Sequence, residues 1–188
     1  MKINEKNDCR YITDDHMKSL VKFLYKKNDS KSLNFDNCTK IKAGCFKNTI
    51  EIEMLCINSN STLEIEESAF ENSSDLKTII IEKSEQNTGG DESSDQEETT
   101  KTSKVTIQSN AFRNCNSLDC IHIKAGNVTI ESNAFSQCYN LRVVVIESDV
   151  IHVRKEAFEQ SNNLCIFGKP KTLKQYCSKN NIEYMELT

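Results

Sequence analysis

Val128 to Val150 reads VTIESNAFSQCYNLRVVVIESDV, and the skeleton V-x-I-x-x-x-A-F-x-x-C-x-x-L-x-x-V-x-I drawn from it recurs along the chain. The preceding unit, from Val105 (VTIQSNAFRNCNSLDCIHI), fills every fixed slot, with Ile for Val in one. One Phe per unit serves as a ruler: Phe46, Phe70, Phe112, Phe135 and Phe158 are separated by 24, 42, 23 and 23 residues, the 42 being one unit of 23 and an insertion of 19. A tandem repeat grows by stacking, so the 188 residues count units in a single elongated domain and not separate globules. A period near 23 is too short for the helix-pair repeats of roughly 33 to 34 residues, which leaves a strand-and-return coil.

Within each unit the last two apolar residues, such as Ile121 and Ile123, are two apart and therefore point to the same side of an extended strand. One such strand per unit, stacked at about 4.8 Å, predicts a five-stranded parallel sheet with a concave outer surface. The return segment V-x-I alternates as well, then turns at Ala-Phe, where a small residue admits the backbone and Phe fills the space between layers.

Along the chain, residues 14–28 place acids before Met17, Leu20, Val21 and Leu24, an i, i+3, i+4, i+7 stripe that predicts a helix capping the open end of the stack. A degraded first unit follows, with Ile41, Phe46, Ile52, Leu55 and Ile57 in the fixed slots and Cys45 for Ala. Residues 84–103, SEQNTGGDESSDQEETTKTS, contain no aliphatic or aromatic side chain and predict a disordered acidic loop. The repeat resumes in phase at Val105. After the fifth unit, Pro170 opens a short helix bearing Leu173, Tyr176 and Cys177, and a strand over 182–187 finishes the cap. The expected organisation is a capping region at 1–32, repeats over 33–168 with the insertion at 84–103, and a carboxy-terminal cap at 169–188.

These units resemble the BspA-like leucine-rich repeats, a 23-residue class written A-F-x-x-C-x-x-L-x-x-I-x-I. Ala111-Phe112, Cys115, Leu118, Ile121 and Ile123 match it slot for slot, and the resemblance runs from about Ile41 to Phe167. It implies an α/β, β-dominated leucine-rich-repeat solenoid of about five units with helical amino- and carboxy-terminal caps. Family members are often surface proteins implicated in adhesion and host-protein binding, so the resemblance implies a protein-binding role and carries no catalytic residues.

Charge narrows the function classes further. The net charge of −4 arises entirely within residues 82–104, where seven acids stand against three lysines, and the remaining 21 acids and 21 bases cancel. A balanced solenoid lacks the basic stripe that binds nucleic acid. No run of about 18 apolar residues is present and the amino terminus has no apolar leader core, which points to a chain without an integral membrane segment and to the cytoplasm; surface association rests on the resemblance alone. In a reducing compartment the nine cysteines read as free thiols. No C-x-x-C pair occurs, and a metal site from Cys115, Cys120, His122 and Cys138 fails because the first and last should face inward and the middle two outward. His16, His122 and His152 fall on three different surfaces, and the nucleophile-elbow, phosphate-loop, dinucleotide and H-E-x-x-H patterns are absent, so no cofactor, metal or catalytic residue is assigned.

The candidate site is a surface. Counting two and four residues beyond the Leu of each unit gives Met54, Cys56, Thr78, Ile80, Cys120, His122, Val143, Val145, Ile166 and Gly168, an outward strip without a charge, as partner-binding candidates. Ser93 and Ser94 precede acids in the loop, the context of an acid-directed kinase, beside the plainer reading of a solubilising insertion. Two function classes remain: a protein-interaction module, and a structural unit that assembles with copies of itself into a homo-oligomer. Because residues 84–103 supply no core side chain and leave the repeat in phase, their deletion should leave the folded chain and its melting temperature intact; a deletion variant unfolded by circular dichroism would show that the segment is structural.

Overall fold

The computed structural model describes residues 1–6, 9–14, 18–26, 31–59, 61–82 and 103–187. Two sheets run the length of the molecule. The first is seven-stranded and wholly parallel: β4 (Ser32–Asp36), β6 (Met54–Asn58), β8 (Thr78–Glu82), β10 (Cys120–Lys124), β12 (Val143–Glu147), β14 (Cys165–Gly168) and β15 (Glu183–Glu186). The second has eight strands. β1 (Lys2–Lys6), β2 (Cys9–Thr13) and β3 (Ser19–Lys26) are antiparallel, and β5 (Lys40–Ile41), β7 (Thr62–Ile65), β9 (Lys104–Ile107), β11 (Asn127–Ile130) and β13 (Val150–Val153) continue from β3 in parallel. Each coil contributes one strand to each sheet and closes through the Ala-Phe turn, giving a β-solenoid.

The period-2 pattern explains the core. Leu55, Ile79, Ile121, Val144 and Ile166 form one inward ladder of the first sheet, and Ile57, Ile81, Ile123 and Ile146 form the next. Leu63, Val105, Val128 and Ile151 face them from the second sheet. The register is unshifted from coil to coil, although Leu55 and Ile79 are 24 residues apart, Ile121 and Val144 23, and Val144 and Ile166 22.

At the turns the stacking is tighter still. Phe46, Phe70, Phe112, Phe135 and Phe158 lie ring over ring, with centroids 4.7, 4.9, 5.1 and 5.3 Å apart and interplanar angles no greater than 9°. The N–H of each of the first four donates to the carbonyl of the Ala beside the next Phe, at 2.7 to 2.8 Å. The Cys or Ser three residues beyond each of the last four donates its side-chain hydrogen back to the carbonyl of the previous Phe: Ser73 to Phe46 at 2.8 Å, Cys115 to Phe70 and Cys138 to Phe112 at 3.2 Å, and Ser161 to Phe135 at 3.0 Å. That shared bond explains why the slot accepts both residues. The residue two beyond Phe is left-handed in five turns, with φ of 60°, 60°, 59°, 61° and 63° at Asn48, Asn72, Asn114, Gln137 and Gln160. Asn adopts this region more readily than most side chains, and Asn114 donates through its amide to Asn72, which donates to Asn48.

Three expectations need correction. The amino-terminal cap is not helical among the described residues: Ser19–Lys26 is a strand, with Leu20 buried and Leu24 exposed. The open edge of β5 needs a hydrogen-bonding partner, and a segment containing Leu, Val, Phe and Tyr supplies it as a strand, so tertiary pairing overrides a short helical stripe. Residues 33–36 do not belong to the first full unit either; they form β4 of an earlier coil, and the first sheet has seven strands where five were expected. That coil carries Phe23, 23 residues before Phe46 and packed on it at 5.2 Å, with its N–H bonded to the Cys45 carbonyl as in the next four turns. Finally, Ser103 belongs to a coil and not to the insertion: it is buried, its carbonyl accepts from the Asn127 N–H at 3.0 Å and its hydroxyl from the Gly126 N–H at 3.1 Å. The deletion that keeps the coil intact is therefore 84–102, whose 19 residues leave Phe70 and Phe112 23 apart, and not 84–103. The rest of the predicted acidic loop, including Ser93 and Ser94, lies outside the described residues, as does His16.

At the other end α1 (Lys171–Lys179) follows Pro170 and buries Leu173 and Cys177. Gly168 permits the close approach, since a Cβ there would stand 2.4 Å from Leu173 Cδ2. Phe135 sits mid-stack with no solvent exposure. Phe135→Ala should therefore cost about 3 to 5 kcal/mol in equilibrium denaturation, and a loss under about 1 kcal/mol would contradict a load shared between coils.

Candidate functional site

Strand alternation places residues 1, 3 and 5 of each strand of the first sheet on its outward face. Position 1 reads Ser32, Met54, Thr78, Cys120, Val143, Cys165, and position 3 reads Asn34, Cys56, Ile80, His122, Val145, Phe167. Met54, Cys56, Thr78, Ile80, Cys120, His122, Val143 and Val145 therefore lie together on one face. Ile166 does not: it pairs with the inward Val144 and is fully buried, and Gly168 is buried too. The fifth unit has one residue fewer between Leu164 and its strand than the fourth has after Leu141, and a one-residue slip exchanges the two faces. Cys165 and Phe167 occupy the outward positions, which N-N-L-C-I-F set against Y-N-L-R-V-V-V-I makes visible in the sequence.

The two sheets differ sharply outside. On the second sheet the outward ladder is Lys40, Glu64, Thr106, Thr129 and His152, bordered by ion pairs of Lys40 and Lys42 with Glu66 and of Arg154 with Glu131, at 3.1 to 3.3 Å. On the first sheet no acid, lysine or arginine interrupts positions 1 and 3 from β4 to β14. Charges border the strip instead. At its leading edge Glu53 takes hydrogen bonds from Lys31 and Lys77, which draw its carboxyl down to about 2. Beside it Arg142 grips Asp119 through two nitrogens.

His122 is the single ionisable nitrogen base within the strip. Its Nε2 is 2.8 Å from Glu147 Oε1 and its Nδ1 is 3.7 Å from Glu82 Oε1. The carboxylates address opposite ring nitrogens and so cannot converge on one ion; among the described residues no cluster of three or more metal-ligating side chains is formed. Cys120 and His122 face outward whereas Cys115 and Cys138 are buried, which separates the four residues weighed as a zinc set. His152 lies on the opposite sheet.

The thiols are poor nucleophiles. Burial pushes Cys45 and Cys138 up to about 12 and Cys38 up to about 11, and Cys115 well above its ordinary value. On the outward face Cys56, Cys120 and Cys165 are raised as well, first by desolvation and then by Glu82, Asp119 and Glu183 respectively. The eight cysteines from Cys38 to Cys177 are free thiols.

Comparison with known proteins adds one positive finding. The profile of the family described as BspA type leucine rich repeat region matches the chain in six copies, over residues 10–93 and 91–187. Six agrees with the Phe positions once Phe23 is counted. No curated protein matches the sequence. Among the described residues no helix is long and apolar enough to cross a membrane.

Proposed function

The chain belongs to the BspA-type leucine-rich-repeat family, and from that premise we propose that it is a non-catalytic protein-interaction module that takes a protein partner on the outward face of its seven-stranded sheet. The observation that carries this reading is the contrast between the two outward faces. A sheet face that only meets water carries Lys, Glu and Thr, and the second sheet does so. The first presents Met54, Ile80, Val143, Val145 and Phe167 in a continuous strip between charged borders, the arrangement of apolar centre and polar rim found in protein interfaces. The chemistry present offers no support for catalysis: desolvation raises the face thiols, and His122 is engaged by two carboxylates with no hydroxyl or thiol bonded to it among the described residues.

Ile80→Glu combined with Val145→Glu should abolish capture of the partner from native lysate and leave the melting temperature within a few degrees, while Thr129→Glu on the opposite sheet should leave capture unchanged. Unaltered capture by the double variant would move the site elsewhere. Unfolding of the double variant would make these residues core.

A further inference from the structure

We propose that the occupant of this face is a second copy of the chain, packed face to face about a two-fold axis that runs along the solenoid. The inference rests on the interaction-module reading and names its partner. It comes from the charges at the two ends of each strand. The residue just before each strand and the strand's last residue are Lys31 and Asp36 for β4, Lys77 and Glu82 for β8 and Arg142 and Glu147 for β12, each positive then negative; Asp119 and Lys124 for β10, negative then positive; and Glu53 and the neutral amide of Asn58 for β6. One rim thus reads plus, minus, plus, minus, plus from β4 to β12. The other reads minus, neutral, minus, plus, minus.

Alternation within one rim has a local use, since Glu53 pairs with Lys31 and Lys77, and Asp119 with Arg142. That use fixes no phase between the rims. The phase present makes one rim the charge complement of the other at four of five strands. A two-fold axis along the solenoid reverses strand direction and keeps each coil level with its own copy, so it sets Lys77 against the partner's Glu82 and Arg142 against the partner's Glu147. Asp119 then meets the partner's Lys124. Any shift by one coil sets like charges together at most of these places, which selects the aligned dimer over slipped ones.

Shape and area agree with the symmetry. The axis crosses each strand midway between its two rim residues, so outward positions 1 and 3 of one copy fall opposite inward positions 4 and 2 of the other. The apolar side chains interleave and do not collide, as in aligned sheet-on-sheet packing. Seven strands spaced about 4.8 Å apart and five residues of about 3.3 Å each bound a face of about 500 Å² per copy. The total of about 1,000 Å² stands at the lower limit for specific interfaces, where the match of charges decides whether association is specific.

Sedimentation equilibrium of the intact chain from about 1 to 100 μM tests this, with 0.15 M and 1 M salt compared because the rim pairs are screened at the higher. A dimer that weakens with salt is expected. Glu82→Lys/Glu147→Lys makes both rims mainly positive, and Lys77→Glu/Arg142→Glu makes both mainly negative. Each variant alone should lose self-association at least about 100-fold, and an equimolar mixture of the two should regain a dimer of mixed composition. Melting temperatures near that of the intact chain establish that both variants fold. A monomer at 100 μM overturns the second-copy assignment, and so does a dimer that persists in both variants or fails to return on mixing. Loss of the interaction-module reading looks different: there, Ile80→Glu/Val145→Glu leaves capture of a foreign protein intact.

Discussion

Coil-on-coil registration at the Ala-Phe turn is the constraint from which the structure follows. A Phe ring stacked on its neighbours at about 5 Å fixes the rise per coil, and that rise matches the spacing of hydrogen-bonded parallel strands. The rings and the two sheets can therefore be satisfied together only if every coil, whatever its length, returns its Phe and its strands to the same register. The return bond from Cys or Ser to the previous Phe carbonyl ties the turn in the opposite sense, so adjacent coils are joined in both directions across a dry layer. Stability in such an array is a sum of nearest-neighbour interfaces, which places the burden on the middle coils and leaves the ends dependent on caps.

The ends differ because their exposed groups differ. At the amino end, the hairpin of β1 and β2 extends the second sheet, and Tyr11 meets Phe35 edge-on at 5.7 Å. At the carboxy end, α1 lays Tyr176 against Phe158 at 6.4 Å, and β15 adds a strand to the first sheet.

The middle of the fold was legible in the sequence because stacking imposes identity at fixed intervals. Phe, Ala and the aliphatic slots announce themselves by recurrence, and the side on which Ile80 or Val145 lies follows from period 2 alone. Where recurrence fails, so did the reading. The coil around Phe23 was hidden because its Leu20-Val21-Phe23-Leu24 pattern also fits a helical stripe, and only pairing to β5 decides between them. Counting from Leu164 puts Ile166 on the wrong face because one residue is missing between Leu164 and the strand, beyond the last Phe that marks the phase. The complementary rims were not seen at all, since each is an ordinary alternation by itself and their relation appears only after the strands are aligned side by side. In the proposed dimer the same registration would carry fold into function, because strands held in register keep the ten rim positions level across the sheet.

Amide hydrogen exchange followed residue by residue tests the registration most directly. The Phe46, Phe70, Phe112 and Phe135 N–H groups each donate to the next coil, whereas Phe158 has no coil beyond it. The account predicts that Phe112 and Phe135 exchange only through global unfolding, among the slowest amides in the chain, and that Phe158 exchanges at least about 100-fold faster. Equal exchange at Phe135 and Phe158 would contradict it.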